Sequence, residues 1–181
     1  MQTLFLDTET TGFAKHDRLC QIAFKLGDFV VNQLYNPRTP ISPGARGVHG
    51  ISEAMVRTRP LFKDGPTFSI LKELAPHVIF VAHNAPFDLR MLEREGLVFP
   101  HVIDTQKIVK HLDPLKKLGS HKLQNLRDHY KMQIEAQAHD ALGDVLVLER
   151  LFHHQLVEIA TRHGIASEEE TVNRMLRLCA R

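Results

Sequence analysis

From residue 3 to residue 7 apolar positions dominate, with Leu4 and Leu6 facing one way and Phe5, Asp7 and Glu9 the other. Apolar residues on both faces predict a strand inside a sheet rather than at its edge. Residues 19–26 and 29–35 predict two more strands, joined by a tight turn at Gly27-Asp28. Residues 36–50 hold Pro37, Pro40, Pro43, Gly44, Gly47 and Gly50, which reads as an ordered loop. Short helices are expected after Ser52, with Glu53 in the first turn, and over residues 68–76.

A buried strand is predicted over 78–82, then a helix from about Pro86 to Gly96, since proline suits a first turn and glycine an end. Residues 102–105 read as a fifth strand, with helix after it to about Leu112. A loop with Pro114 and Gly119 leads to a helix over 122–130. From Asp140 the apolar stripe Ala141, Val145, Leu148 and Phe152, at spacings of 4, 3 and 4, predicts a long helix. Ser167 with Glu170 forms a capping box for a last helix, whose Val172, Met175, Leu176 and Cys179 share a face. A hairpin meander followed by βαβ units predicts an α/β fold, a mixed five-stranded sheet flanked by helices.

The chain has 181 residues, 43% hydrophobic and 24% charged, with net charge +2, which fits one folded domain and excludes a disordered chain. No apolar run approaches the ~20 residues of a membrane span. No basic leader precedes Asp7, and the two cysteines, Cys20 and Cys179, make neither a disulfide framework nor a metal cluster. A reducing, cytoplasmic setting is therefore expected.

Acidic residues change the picture. Asp7 and Glu9 lie two apart at the end of the first strand, so one face carries both and they repel unless cations bind them. Thr10-Thr11-Gly12 then turns the chain, offering hydroxyls and backbone N–H groups. In His83-Asn84-Ala85-Pro86-Phe87-Asp88, Asp88 falls in the first turn of a helix, where the macrodipole alone would favour it. Asn84 suits a helix cap and Phe87 the core, so the segment has a purely structural account unless the first and fourth strands are adjacent. In His139-Asp140-Ala141-Leu142-Gly143-Asp144, Asp140 caps the long helix and His139 stands just outside it. Asp144, on the apolar side, needs a partner, and a metal is the economical one.

Four carboxylates and no soft ligand point to a hard ion, Mg²⁺ or Mn²⁺. Two such ions about 3.5–4 Å apart can clamp a phosphodiester. His139 would be the general base for the attacking water.

The segments DTETTG, HNAPFD and HDALGD together resemble the three motifs of the DnaQ-like DEDDh exonuclease family, over most of the chain from Thr3 to about Phe152. The resemblance implies a ribonuclease-H-like fold and release of nucleoside 5′-monophosphates from 3′ ends of DNA or RNA. It implies two divalent ions held by Asp7, Glu9, Asp88 and Asp144, with His139 as general base. Thr8, Thr11 and Gly12 would cradle the terminal nucleotide, with His49, Ile51, Asn84 and Phe87 beside it; Val48-His49-Gly50-Ile51 resembles the family segment that packs there. The sister branch has tyrosine four residues before the last aspartate; here Asp140 stands there and His139 precedes it.

Residues 1–164 are expected to form the exonuclease domain, and 165–181 a C-terminal helix packed on it or on a partner. DNA is the expected substrate. An exoribonuclease acting on short RNA or RNA tails, or a proofreading subunit bound to a DNA polymerase, are the alternatives. The expected partners are a nucleic acid with a free 3′ end, and beyond it a polymerase or a second copy of the chain; no membrane is expected. Between residues 107 and 131 seven Lys or Arg stand against Asp113 and Asp128, which suits either a phosphate-guiding surface or a solvated helix face.

Overall fold

A computed structural model describes residues 1–134 and 140–180. The sheet runs β3-β2-β1-β4-β5. β1 (Gln2–Thr10), β2 (Leu19–Leu26) and β3 (Phe29–Leu34) form an antiparallel meander. β4 (Val78–Ala82) and β5 (Val102–Asp104) extend it in parallel on the other side of β1. The helices are α1 (Pro43–His49), α2 (Glu53–Val56), α3 (Pro66–Leu74), α4 (Ala85–Arg94), α5 (Thr105–Leu112), α6 (Leu123–His129), α7 (Ala141–His163) and α8 (Glu168–Cys179). The mixed five-stranded sheet flanked by helices is the architecture that the sequence predicts.

Period two in β1 divides the core between two layers. Leu4 and Leu6 pack with Phe80 of β4 and with Leu71 and Leu92 from α3 and α4. Phe5 faces the other way, among Val145, Leu148 and Phe152 of α7 and Met175 of α8. Because Asp7 and Glu9 keep the parity of Phe5, they continue onto the face that α7 covers.

Residues 36–50 depart from expectation. Instead of a continuous loop, they include α1. Ser42 caps it by accepting the Ala45 N–H at 3.1 Å, Pro43 occupies its first turn, and Gly50 ends it at φ 72° with its N–H on the Arg46 carbonyl. Gly44 and Gly47 each cost about 1 kcal/mol within a helix. The caps, and burial of Ala45 against Cys20, Ile41, Ile51 and Val56, outweigh them. The prolines and glycines that suggest a loop by their number mark helix ends by their positions.

Candidate active site

β1 also runs further than expected, through Glu9 to Thr10, because its two neighbours differ in length. β2 stays paired with it as far as Thr10, whereas β4 accompanies it only from Gln2 to Phe5. Beyond Phe5 the β4 side of β1 is open. Thr8 fills that gap with a side-chain partner: its N–H donates to Asp88 Oδ1 at 3.0 Å and its hydroxyl to the same oxygen at 2.7 Å. Asp88, in the first turn of α4, is thereby held at the mouth of the sheet.

From the other layer α7 brings Asp144. Asp140 caps this helix, accepting the Gly143 N–H and the side-chain amide of Gln21. Asp144 therefore sits in the first turn. Its carboxylate and those of Asp7 and Glu9 offer oxygens all within 4.8 Å of one another. Asp88 stands beside this trio rather than in it, with one oxygen already committed to Thr8.

Such an arrangement disfavours charge. Burial, followed by the nearness of Asp88 and Glu9, raises the Asp7 carboxyl well above its usual range. Burial and then Asp144 push Glu9 up to about 8. Burial raises Asp88 to about 7 even though its bonds from Thr8 act the other way. Hard oxygen donors that repel one another at neutral pH suit a divalent cation, which removes the repulsion that raises them. The residues present thus fit the divalent metal ions that this kind of acidic centre takes.

Around the acids is a hollow of about 190 Å³, lined also by Gly12, Phe13, Val48, His49, His83 and Phe87. His49 Nδ1 accepts the Ile51 N–H, so its Nε2 carries the proton and donates to the Thr10 carbonyl at 3.1 Å. Burial holds its pKa below the usual value, which keeps the ring neutral. Phe87 meets Phe13 with ring centroids 5.6 Å apart, and Phe13 is 80% exposed. Phe13 belongs to none of the three motifs. Its signal was available: a large aromatic residue in a turn, next to glycine, among residues that otherwise suit solvent. A larger hollow, about 800 Å³ beside Tyr130, Arg150, His153 and His154, has none of the acids on its wall.

Several expected substrate contacts look elsewhere. Thr8 spends its N–H and hydroxyl on Asp88. Thr11 is buried, its hydroxyl donating to Asp17 Oδ1 at 2.7 Å and its N–H to the Arg18 carbonyl. Thr8 still lines the hollow, and the hydroxyls of both residues are engaged in shaping the chain around the acids. Gly12 does line the hollow, and it is required for packing: a Cβ there would lie 2.7 Å from Asp17 Oδ2. Ile51 is 4% exposed in the small core beneath α1, off the wall of the acidic hollow. Asn84 takes the left-handed conformation at the start of α4, makes no side-chain cap bond, and donates its N–H to Asp104 Oδ1. His139 lies outside the described residues.

The exonuclease family profile RNase_T matches residues 4–152. A DNA polymerase III subunit epsilon-like protein of Rhodobacter capsulatus is 34% identical over 170 residues, covering 86% of this chain and 24% of that protein. Exodeoxyribonuclease 10 of Escherichia coli K12 is 31% identical over 178 residues, covering 91% of this chain and 71% of that protein. Among solved structures, exonuclease X in complex with 5′-overhanging duplex DNA superposes with a TM-score of 0.68 at 26% identity, covering 96% of this chain and 99% of that one. The chain thus spans about a quarter of the first relative and nearly all of exonuclease X. Among the described residues no helix is long and apolar enough to cross a membrane.

Proposed function

This chain belongs to the RNase_T exonuclease family, with the ribonuclease-H-like fold, and from that premise we propose that it is a metal-dependent 3′→5′ exonuclease of the DnaQ-like DEDDh branch, acting on DNA. The observation that carries the reading is the trio Asp7, Glu9 and Asp144, with Asp88 beside it, at the open end of β1. These four carboxylates would hold two divalent ions, Mg²⁺ or Mn²⁺. Bound there, such ions neutralise the scissile phosphate and stabilise the charge that develops on it.

The chain itself positions and moves protons. Phe13 and Phe87 stack against the terminal base, a contact worth about 1–3 kcal/mol per base. The half-exposed Val48 packs along the terminal sugar. An imidazole nitrogen of His139 takes a proton from the attacking water. Its oxygen bonds to phosphorus as the bond to the 3′ oxygen of the preceding nucleotide breaks. The departing 3′ oxygen takes a proton from solvent, and the products are a nucleoside 5′-monophosphate and a strand with a new 3′-hydroxyl. DNA is favoured because exodeoxyribonuclease 10 and the DNA-bound exonuclease X are among the relatives. The cytoplasm is where we place this activity.

A panel of 5′-labelled single-stranded DNA, duplex DNA and short RNA, plus a closed circle, tests this with Mg²⁺, Mn²⁺ or EDTA. A descending ladder from DNA, silence in EDTA and an intact circle are expected. Full activity in EDTA would overturn the metal reading, rapid cutting of the circle the exonucleolytic one, and faster RNA degradation the choice of DNA. In the same assay His139→Ala is expected to lower kcat about 10²–10⁴-fold. A single-turnover rate within tenfold of the parent would remove His139 from the mechanism.

A further inference from the structure

Asp144 is gripped from a helix that belongs to none of the three motifs. α6 turns Leu123, Leu126 and Tyr130 toward Val109 of α5 and Leu151 of α7. The adjoining face carries Gln124 and Arg127, one helical turn apart. Gln124 Nε2 donates to Asp144 Oδ1. Gln124 Oε1 accepts from Arg127 Nη1 at 3.5 Å, and Arg127 Nη2 donates to the Ile134 carbonyl at 2.5 Å.

This order of partners fixes which way the amide points. Reversed, it would set its oxygen against a carboxylate and its NH₂ against a guanidinium, with both contacts repulsive. Arg127 therefore selects the amide orientation that gives Asp144 a donor. Through Ile134 it also fastens α6 to the chain that leads, five residues on, to His139.

We propose that Gln124, oriented by Arg127, is a positioning residue that fixes the Asp144 carboxylate for cation binding. The inference rests on the metal reading above and adds to it a residue outside the motifs. Partners that hold a ligating side chain in place are typically worth 10–100-fold in metal affinity. Gln124→Met keeps the length of the side chain and removes the donor.

Calorimetric titration of the metal-free protein with Mn²⁺ is the test, with kcat and KM measured alongside. The parent is titrated first. A parent that binds no Mn²⁺ overturns the metal reading, and this inference with it, before any variant is made. If the parent binds, Gln124→Met is expected to weaken Mn²⁺ binding about 10–100-fold. Its KM for DNA should stay near the parent value, and kcat should recover at high Mn²⁺. Arg127→Met should shift affinity the same way by a smaller factor. Mn²⁺ affinity within twofold of the parent in folded Gln124→Met overturns the proposal while leaving the metal reading intact. Where Gln124→Met melts below the assay temperature, Gln124→Leu, which lacks the NH₂ donor and brings no metal ligand, is titrated in its place. Parent-like affinity in that variant overturns the proposal equally.

Discussion

Two sets of buried or half-buried acids in this protein have opposite surroundings. Asp17 and Asp113 are buried, each inside a fan of donors. Asp17 accepts the Thr11 hydroxyl at 2.7 Å and the Ala14 N–H at 2.6 Å. Asp113 accepts the N–H groups of Lys117 and Leu118 and pairs with His121 Nε2 at 2.9 Å. Burial pushes Asp17 up, but Thr11 and Ala14 outweigh it and the carboxyl ends below its usual range. The bond from His121 holds Asp113 low. Asp7, Glu9 and Asp88 go the other way, raised by burial, which nearby Asp88 reinforces for Asp7 and nearby Asp144 for Glu9. Acids surrounded by donors build turns. Acids that face one another at an open sheet end are arranged for a ligand that the protein does not itself supply.

Removing a member of each set is the sharpest way to break this contrast. Asp7→Ala should cost activity ~10³-fold or more, about 4 kcal/mol at the barrier, while the protein stays folded. Its metal-free melting temperature should equal or exceed that of the parent, because one source of repulsion is gone. Loss of folding in Asp7→Ala, seen by circular dichroism, would place Asp7 with the turn-building acids instead.

Asp17→Ala should do the reverse. It leaves the Thr11 hydroxyl and the Ala14 N–H without their acceptor, a loss of about 1–3 kcal/mol in stability by urea titration. Because Asp17 shapes the turn that carries Phe13 out beside Phe87, KM for DNA should rise as the turn loosens. At saturating DNA, kcat should stay within a few-fold of the parent. A collapse in kcat with KM unchanged would erase the distinction between the two sets.

Much of this was legible in the sequence, for a reason the residues make plain. Period two carries Asp7 and Glu9 onto the face of Phe5, and the spacing of Ala141, Val145 and Leu148 turns α7 toward that same face. The meeting of Asp7, Glu9 and Asp144 follows from two local patterns. What stayed hidden depends on contacts distant in sequence. That Thr8 serves Asp88 depends on where β4 stops, a fact of pairing that no local pattern carries. That the Thr11 hydroxyl donates to Asp17, six residues on, depends on how the turn closes and is carried by no periodic pattern. Gln124 could not be singled out, since only the packing of α6 on α7 brings its amide to Asp144.

The smallest effect comes from pH, and its sign separates the two sets without any substitution. Glu9 and Asp88 titrate at about 8 and about 7 in the folded chain, against ordinary values near 4 when unfolded. Between those limits the folded state binds more protons than the unfolded one, so stability falls as pH rises. Asp17 and Asp113 are lowered, so their contribution is present above about pH 4 and is lost only in acid. His49 and His83, held low by burial, add stability as pH rises through about 6.5 and change little above it. From pH 7 upward the facing acids therefore dominate, with Cys20 and Cys179, raised by burial, adding a loss of the same sign only as pH nears their ordinary value of about 8.5. From pH 7 to 8.5 the metal-free protein should lose about 1 kcal/mol or more, some 2–4 °C in Tm. Asp144→Asn, which keeps the volume and removes the charge that most raises Glu9 after burial, should flatten that slope. Saturating Mg²⁺ should abolish or reverse it, because cation binding favours the deprotonated carboxylates. Scanning calorimetry at three pH values, with and without Mg²⁺, measures all of this. A metal-free Tm that climbs from pH 7 to 8.5 would mean that donors, rather than like charges, surround Glu9 and Asp88, and that the two sets of acids are alike.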